Sequence, residues 1–425
     1  MPASPRRVSP RVLAAAGAAA LAAVSAPVAA PSALAQEAPE RVLLSPTADP
    51  SRSQTVTWRG PEGGSVLEIA PADDPGRVVR VEGERTGDAG GAYHRATATG
   101  LEPGTGYRYR VGDGGGSVTD WLAFSTPAEG AEPFDFLYFG DIQNDITEGA
   151  APVVRAALEA EPDAELAVHA GDLINSANSD SEWGEWYGAF GPGATGGMNH
   201  VAAPGNHEYA GLRLSGHWAL QFPGAGNGPE GNDLPETVSY TDYQGVRFIT
   251  LNSNYRAAAP LSPRAWLEAQ EGWLRKALET NPGRWSVVAF HHPVFSNSPS
   301  RDNGPVREAW LDTFEEFDVD LVLQGHDHSY ARGNLTANRT GDPAVQTGPV
   351  YAVSVTGPKM YDADDSNWTG NGAEVRAQRA DTQTYQAVSV DGGTLDYVAR
   401  TADGEVVDAF TITKDESGKR VTDAS

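Results

Sequence analysis

The chain contains no cysteine. Disulfides, thiolate metal ligands and a thiol nucleophile are therefore excluded, and any metal must be held by His, Asp, Glu or Asn. Basic residues are also scarce, with 31 Lys and Arg against 57 Asp and Glu, for a net charge of −26. A field of that sign repels polyanions, so nucleic acid is not an expected partner, and the plain meaning of the acidity is a well-solvated surface. Beyond the N-terminus no run is long and apolar enough to span a bilayer, so no stable membrane insertion is expected of the mature chain.

What is present begins with Arg6, Arg7 and Arg11 ahead of an Ala/Leu/Val stretch that ends in Ala33-Leu34-Ala35. This reads as a secretory signal over residues 1–35, with export by the general or the twin-arginine route and a secreted or extracytoplasmic location. With 425 residues, more than one folded unit is expected.

From about residue 40 to 127, short β-type runs such as QTVTWRG, SVLEIA and YRYRVG alternate with Gly, Pro and Asp turns, the pattern of an all-β sandwich. Leu101, Tyr107, Tyr109 and Val111 share the register of a strand entered through a Pro-Gly corner. This segment resembles the tyrosine-corner strand of a fibronectin type III module, with Trp58 as its core tryptophan. A scaffolding role is expected of it, because nothing in it carries catalytic chemistry.

The polar joint STPAEGAEP separates this region from residues 133–425, where the pattern changes. Five continuously apolar runs, FDFLYF, AELAVHA, HVAAP, WSVVAF and VDLVLQ, read as buried strands of a central sheet. Helical stretches lie between them; Ser262-Pro263, for example, starts one that stops before Asn281-Pro282. Strands alternating with helices indicate an α/β layer fold, closed by further strands after Gly348. The spacing of Trp183, Trp186, Tyr187 and Phe190 predicts the packed face of a helix.

Each apolar run ends in a short loop with metal-binding side chains: Gly140-Asp141, Gly171-Asp172, Gly205-Asn206-His207-Glu208, His291-His292-Pro293 and Gly325-His326-Asp327-His328. One such pair is commonly just a turn. Five of them at strand carboxyl ends converge on one point in an open α/β sheet. The donor types suit two adjacent cations of Zn, Mn or Fe. Asp172 can bridge both, Asp141 and His328 can serve one, and Asn206, His291 and His326 the other.

The ordered set GD, GD, GNHE, H-x-P and GHDH resembles the calcineurin-like metallophosphoesterases, in particular the purple acid phosphatase branch. The resemblance implies the fibronectin III-like sandwich followed by an α/β domain of αββα sandwich type, and two metal ions on Asp141, Asp172, Asn206, His291, His326 and His328. It gives His207 a catalytic role on the leaving group, and Glu208 a role supporting a neighbouring ligand.

Two positions depart from the family pattern. Asn175 stands where purple members have a tyrosine, and Gln143 where other metallophosphoesterases have a histidine. Either amide, or water, could complete the first metal site, and without a phenolate no purple colour is expected. The function implied is hydrolysis of small phosphate monoesters, acid phosphatase type, through a metal-bound hydroxide. Two alternatives are a phosphodiesterase or nucleotidase using the same site, and an inactive surface binding protein. His169 reads as a core residue, His292 as support or substrate contact, and Tyr330 and Arg332 as loop braces or phosphate contacts.

Overall fold

The structure is a computed structural model and describes residues 38–424. The secretory-signal reading of residues 1–35 lies outside the described residues. Among those described, no helix is long and apolar enough to cross a membrane.

Two large sheets face each other. One has twelve strands and includes, as neighbours, Phe134–Phe139, Leu166–His169 and Asn199–Ala202, which run parallel. The other has seven, with Val246–Thr250, Trp285–Ala289, Leu321–Gln324 and Val350–Val353 in parallel order.

The period of two along each strand shows why both faces are apolar. Phe134, Phe136 and Tyr138 join Phe248, Val287, Leu321 and Val350 in a core between the sheets. Leu137 and Phe139 point the other way, into a core with Trp183, Trp186 and Phe190. Those aromatics lie on the helix Asp180–Thr195, and Ala151–Ala160 packs beside it. The helices Pro263–Glu279 and Gly304–Glu316 cover the outer face of the seven-stranded sheet, around Val288, Leu274 and Trp310. The layers are helix, sheet, sheet, helix.

The five apolar runs therefore do not share one central sheet: three belong to the first sheet and two to the second. A run buried on both faces reads the same in either layer, so periodicity could not assign it. The unmarked hairpin of Ser239–Tyr243 with Val246–Thr250 opens the second sheet.

The N-terminal strands form a sandwich around Trp58, Leu67, Tyr109 and Phe124. The Tyr107 hydroxyl accepts a hydrogen bond from the Glu102 amide at 2.8 Å, closing the corner. Its Glu40–Pro46 strand also pairs in parallel with Asn199–Ala202 through Leu44 and Asn199, so the sandwich sheet runs on into the twelve-stranded sheet. The described residues form one compact unit.

Candidate metal centre

All five motif loops leave the carboxyl ends of parallel strands, and the loop backbones approach one another closely. A β-carbon at Gly205 would collide with Asp172 Oδ1, and one at Gly325 with Asp141 Oδ2. Asp141, Asp172, His326 and His328 have φ of 45°, 52°, 77° and 48°, a left-handed backbone uncommon outside glycine. Strain of this kind persists only where surrounding contacts over-determine it, and it gathers at functional sites.

Those contacts are visible. The His326 amide donates to Asp141 Oδ2 at 2.6 Å and the His207 amide to Asp172 Oδ1 at 2.8 Å. Buried Glu208 accepts from the amides of Asp172, Leu173 and Gly205 at 2.6–2.9 Å. It thus holds the turn that presents Asp172 rather than any ligand side chain.

Two sets of donor atoms result, each within 4.8 Å: Asp172 with His291 and His326, and Asp141 with Asp172 and His328. Asp172 belongs to both. Asn206 Oδ1 joins the former at 3.2 Å from His291 Nε2. His291 Nδ1 donates to the Ala170 carbonyl at 2.8 Å and His328 Nδ1 to the Lys359 carbonyl at 2.9 Å, which turns both Nε2 atoms inward. His326 presents Nδ1, 3.2 Å from His291 Nε2.

These residues fit cations. Asp172 Oδ2, Asn206 Oδ1 and His326 Nδ1 all lie 3.2 Å from His291 Nε2, and buried Asp141 Oδ1 has no hydrogen-bond partner among the described residues. Protons show the same crowding. Burial, with the charge of Asp172 adding to it, holds the Asp141 carboxyl well above the carboxylate range. Burial would raise Asp172 too, but the charge and hydrogen bond of His291, with His207, bring it below. His291 is pushed up to about 9 against its burial by Asp172 and Asp141, while burial and Lys359 take His328 down to about 4.

His207 stands at the edge, its side chain 27 % exposed, with Nδ1 on the Asn175 carbonyl at 2.5 Å and Nε2 4.0 Å from Asp172 Oδ2. A cavity of 380 Å³ opens beside the centre, lined by Asn206, Ser253, Arg256, His292, Arg301 and His326 among others. His292 is bound to Ser253 at 2.9 Å and faces this cavity.

Arg256 and Arg301 form no ion pair with any described carboxylate. Arg301 donates to the His326 carbonyl and stacks on Tyr361, and Arg256 bonds the Tyr255 hydroxyl. Sequence reading missed both arginines, since two cations on separate segments that meet only across a cavity leave no local pattern.

Other placements differ from sequence expectation or resolve it. Tyr330 and Arg332 are buried and bonded to Asp408, so they brace a strand and meet no phosphate. His169 stacks on His200 in the core at 5.2 Å.

Fold and donor set together define a class, that of metallophosphoesterases with a paired-cation site. Residues 134–330 match the family described as calcineurin-like phosphoesterase, and residues 39–126 that described as purple acid phosphatase, N-terminal domain. Purple acid phosphatase 23 of Arabidopsis thaliana is 24% identical over 354 residues, covering 74% of this chain and 73% of that one. A purple acid phosphatase from yellow lupin (Lupinus luteus) seeds superposes with a TM-score of 0.72 at 18% identity, over 89% of this chain and 75% of that chain. The structure of PhoD superposes at 0.64 and 16% identity, over 90% and 92%. The two superpositions are likenesses of fold. The chain thus carries a calcineurin-like phosphoesterase domain behind a purple acid phosphatase N-terminal domain, the make-up of a metal-dependent phosphatase.

Proposed function

We propose that this protein is an exported dinuclear-metal phosphatase that hydrolyses small phosphate monoesters. The observation that carries the reading is the sharing of Asp172 between two donor sets. In it, Asp141, Asp172 and His328 hold a first ion, and Asp172, Asn206, His291 and His326 a second, drawn from Zn, Mn and Fe. Ions so bound would supply positive charge for the phosphoryl oxygens and acidify a water.

The chain's own residues do the rest. With Nδ1–H donated to the Asn175 carbonyl, His207 in its imidazolium form directs the Nε2 proton to the departing alkoxide and is left as the neutral ring. Arg256 and Arg301, unpaired in a chain of net charge −26, draw an anionic ester into the cavity beside the centre. The cavity's size favours a small ester, and the overall charge disfavours nucleic acid. Export rests on the signal-like composition of residues 1–35.

The test is metal analysis of the purified protein with parallel assays on nitrophenyl phosphate and bis-nitrophenyl phosphate. Two ions per chain and preferred turnover of the monoester are expected. Faster diester turnover would move the protein to the phosphodiesterases, and fewer than two ions with no turnover would remove both readings. His207→Ala should lower kcat by roughly a hundredfold to ten-thousandfold. A rate near wild type would exclude the proton role.

A further inference from the structure

Gln143 is one of the two residues at which this chain departs from the family pattern, and its surroundings say what it does. The side chain is fully buried, with Nε2 2.9 Å from Asp172 Oδ2 and 3.1 Å from His328 Nε2. Two members of the first donor set thus clasp one end of the amide. The other end, Oε1, is buried without a partner among the described residues, although a buried amide oxygen ordinarily finds a donor. The Gln143 amide N–H is bonded to the Asp172 carbonyl at 3.1 Å, which fixes this residue against the bridging loop.

The rival amide is committed elsewhere. Asn175 Oδ1 accepts from Asn144 Nδ2 at 2.8 Å, and its carbonyl holds His207. Asn175 therefore serves the proton donor and Gln143 the first cation site.

The two ends of an amide have nearly the same shape, and a half-turn about the last bond exchanges oxygen for nitrogen. Facing a carboxylate alone, the NH₂ end points inward. Facing a cation, the oxygen does.

We infer that Gln143 is the fourth protein donor to the first cation, through Oε1, beside Asp141, Asp172 and His328. This rests on the dinuclear reading above and deepens it. A neutral oxygen donor where other metallophosphoesterases place an imidazole makes the first site harder and weaker than the second. It should prefer Mn(II) to Zn(II) more than the second site does, and it should empty first under a chelator.

Stepwise titration of the metal-free full chain with Mn(II) and with Zn(II), followed by calorimetry and by the electron spin resonance of free Mn(II), tests the assignment. Wild type should bind two ions with distinct affinities. Gln143→Leu, which keeps the volume and removes the oxygen, should weaken the first site at least tenfold and leave the second unchanged. Gln143→Glu separates ligation from hydrogen bonding, because it keeps an oxygen and discards the NH₂. It should tighten the first site, and weakening there would mean that the NH₂ group matters and would overturn the assignment.

Gln143→His should restore two-site binding with the preference moved toward Zn(II). Unchanged affinities in Gln143→Leu would overturn the role of Gln143 alone, whereas a wild-type chain that binds no cation would overturn the dinuclear reading itself. Thermal unfolding of each metal-free variant establishes that the fold is retained.

Discussion

The tightest packing in the centre is between the backbone of one loop and the carboxylate of another, at Gly205 and Asp172. A methyl group at residue 205 would push on Asp172 Oδ1 and on its amide at once, and buried Glu208 holds that amide from the far side. The carboxylate must move, and a displacement of about 1 Å at a reacting centre costs about a hundredfold in rate. Gly205→Ala should therefore lower kcat/KM about a hundredfold or more while the far-ultraviolet circular dichroism stays that of wild type; near-normal kinetics would show that the loop has slack.

The same scale shows what sequence could and could not tell. The candidate ligands are legible because four of the five motifs place glycine directly before a donor, and the geometry explains why only hydrogen fits at residues 205 and 325. Arg256, Arg301 and the grip of Glu208 on the Asp172 and Leu173 amides are not, because the cavity that unites the arginines and the loop that Glu208 holds are brought to them only by the fold.

At the scale of elements, the strand Tyr330–Leu335 follows the GHDH loop and belongs to the seven-stranded sheet, yet its side chains reach the other sheet. Arg332 donates to both oxygens of Asp408 at 2.7 and 2.8 Å and to Asp423 at 2.6 Å, and the Tyr330 hydroxyl adds a bond to Asp408 at 2.7 Å. Asp408 and Asp423 lie on Val406–Asp415 and Gly418–Asp423 of the twelve-stranded sheet, so the cluster ties the two layers together.

Removing one member of a buried pair leaves an uncompensated charge, at a cost of about 3–5 kcal/mol. Arg332→Met should lose about that much stability in urea unfolding, with KM for the monoester unchanged; a raised KM with little loss of stability would return Arg332 to the substrate. Sequence placed Arg332 near the site because it is near in the chain. Which way a strand residue points past the loop depends on the partner sheet, and the pairing of two sheets leaves no mark in a run apolar on both faces.

For the whole molecule, the change in composition at residues 125–133 makes the joint legible, but not the continuity across it. Pairing of Leu44 with Asn199 joins strands far apart in sequence, and ion pairs reinforce it. Asp180, in the first turn of the helix Asp180–Thr195, accepts from Arg41 at 2.7 Å and from Arg59 at 2.8 Å, both arginines lying on sandwich strands. The sandwich is in this way a buttress for the layer that carries Asp141 and Asp172.

The clamp has a pH dependence whose sign can be worked out. Burial would raise the Asp180 carboxyl, but hydrogen bonds from Arg41 and Arg59 outweigh it and hold the group below its ordinary 3.8. A depressed carboxylate contributes stability that is present above 3.8 and is lost as pH falls through the folded value. Asp180 is 40 % exposed, so screening by solvent limits the contribution to roughly 1 kcal/mol. Asp180→Asn should then lower Tm by a few degrees at pH 7. The gap from wild type should close below pH 3.8 and narrow in concentrated salt. Titration of the many other carboxylates affects both chains alike and cancels in the difference. A gap that stayed constant down to pH 3 would mean that the two halves are held by their shared sheet alone, with the arginines contributing nothing measurable.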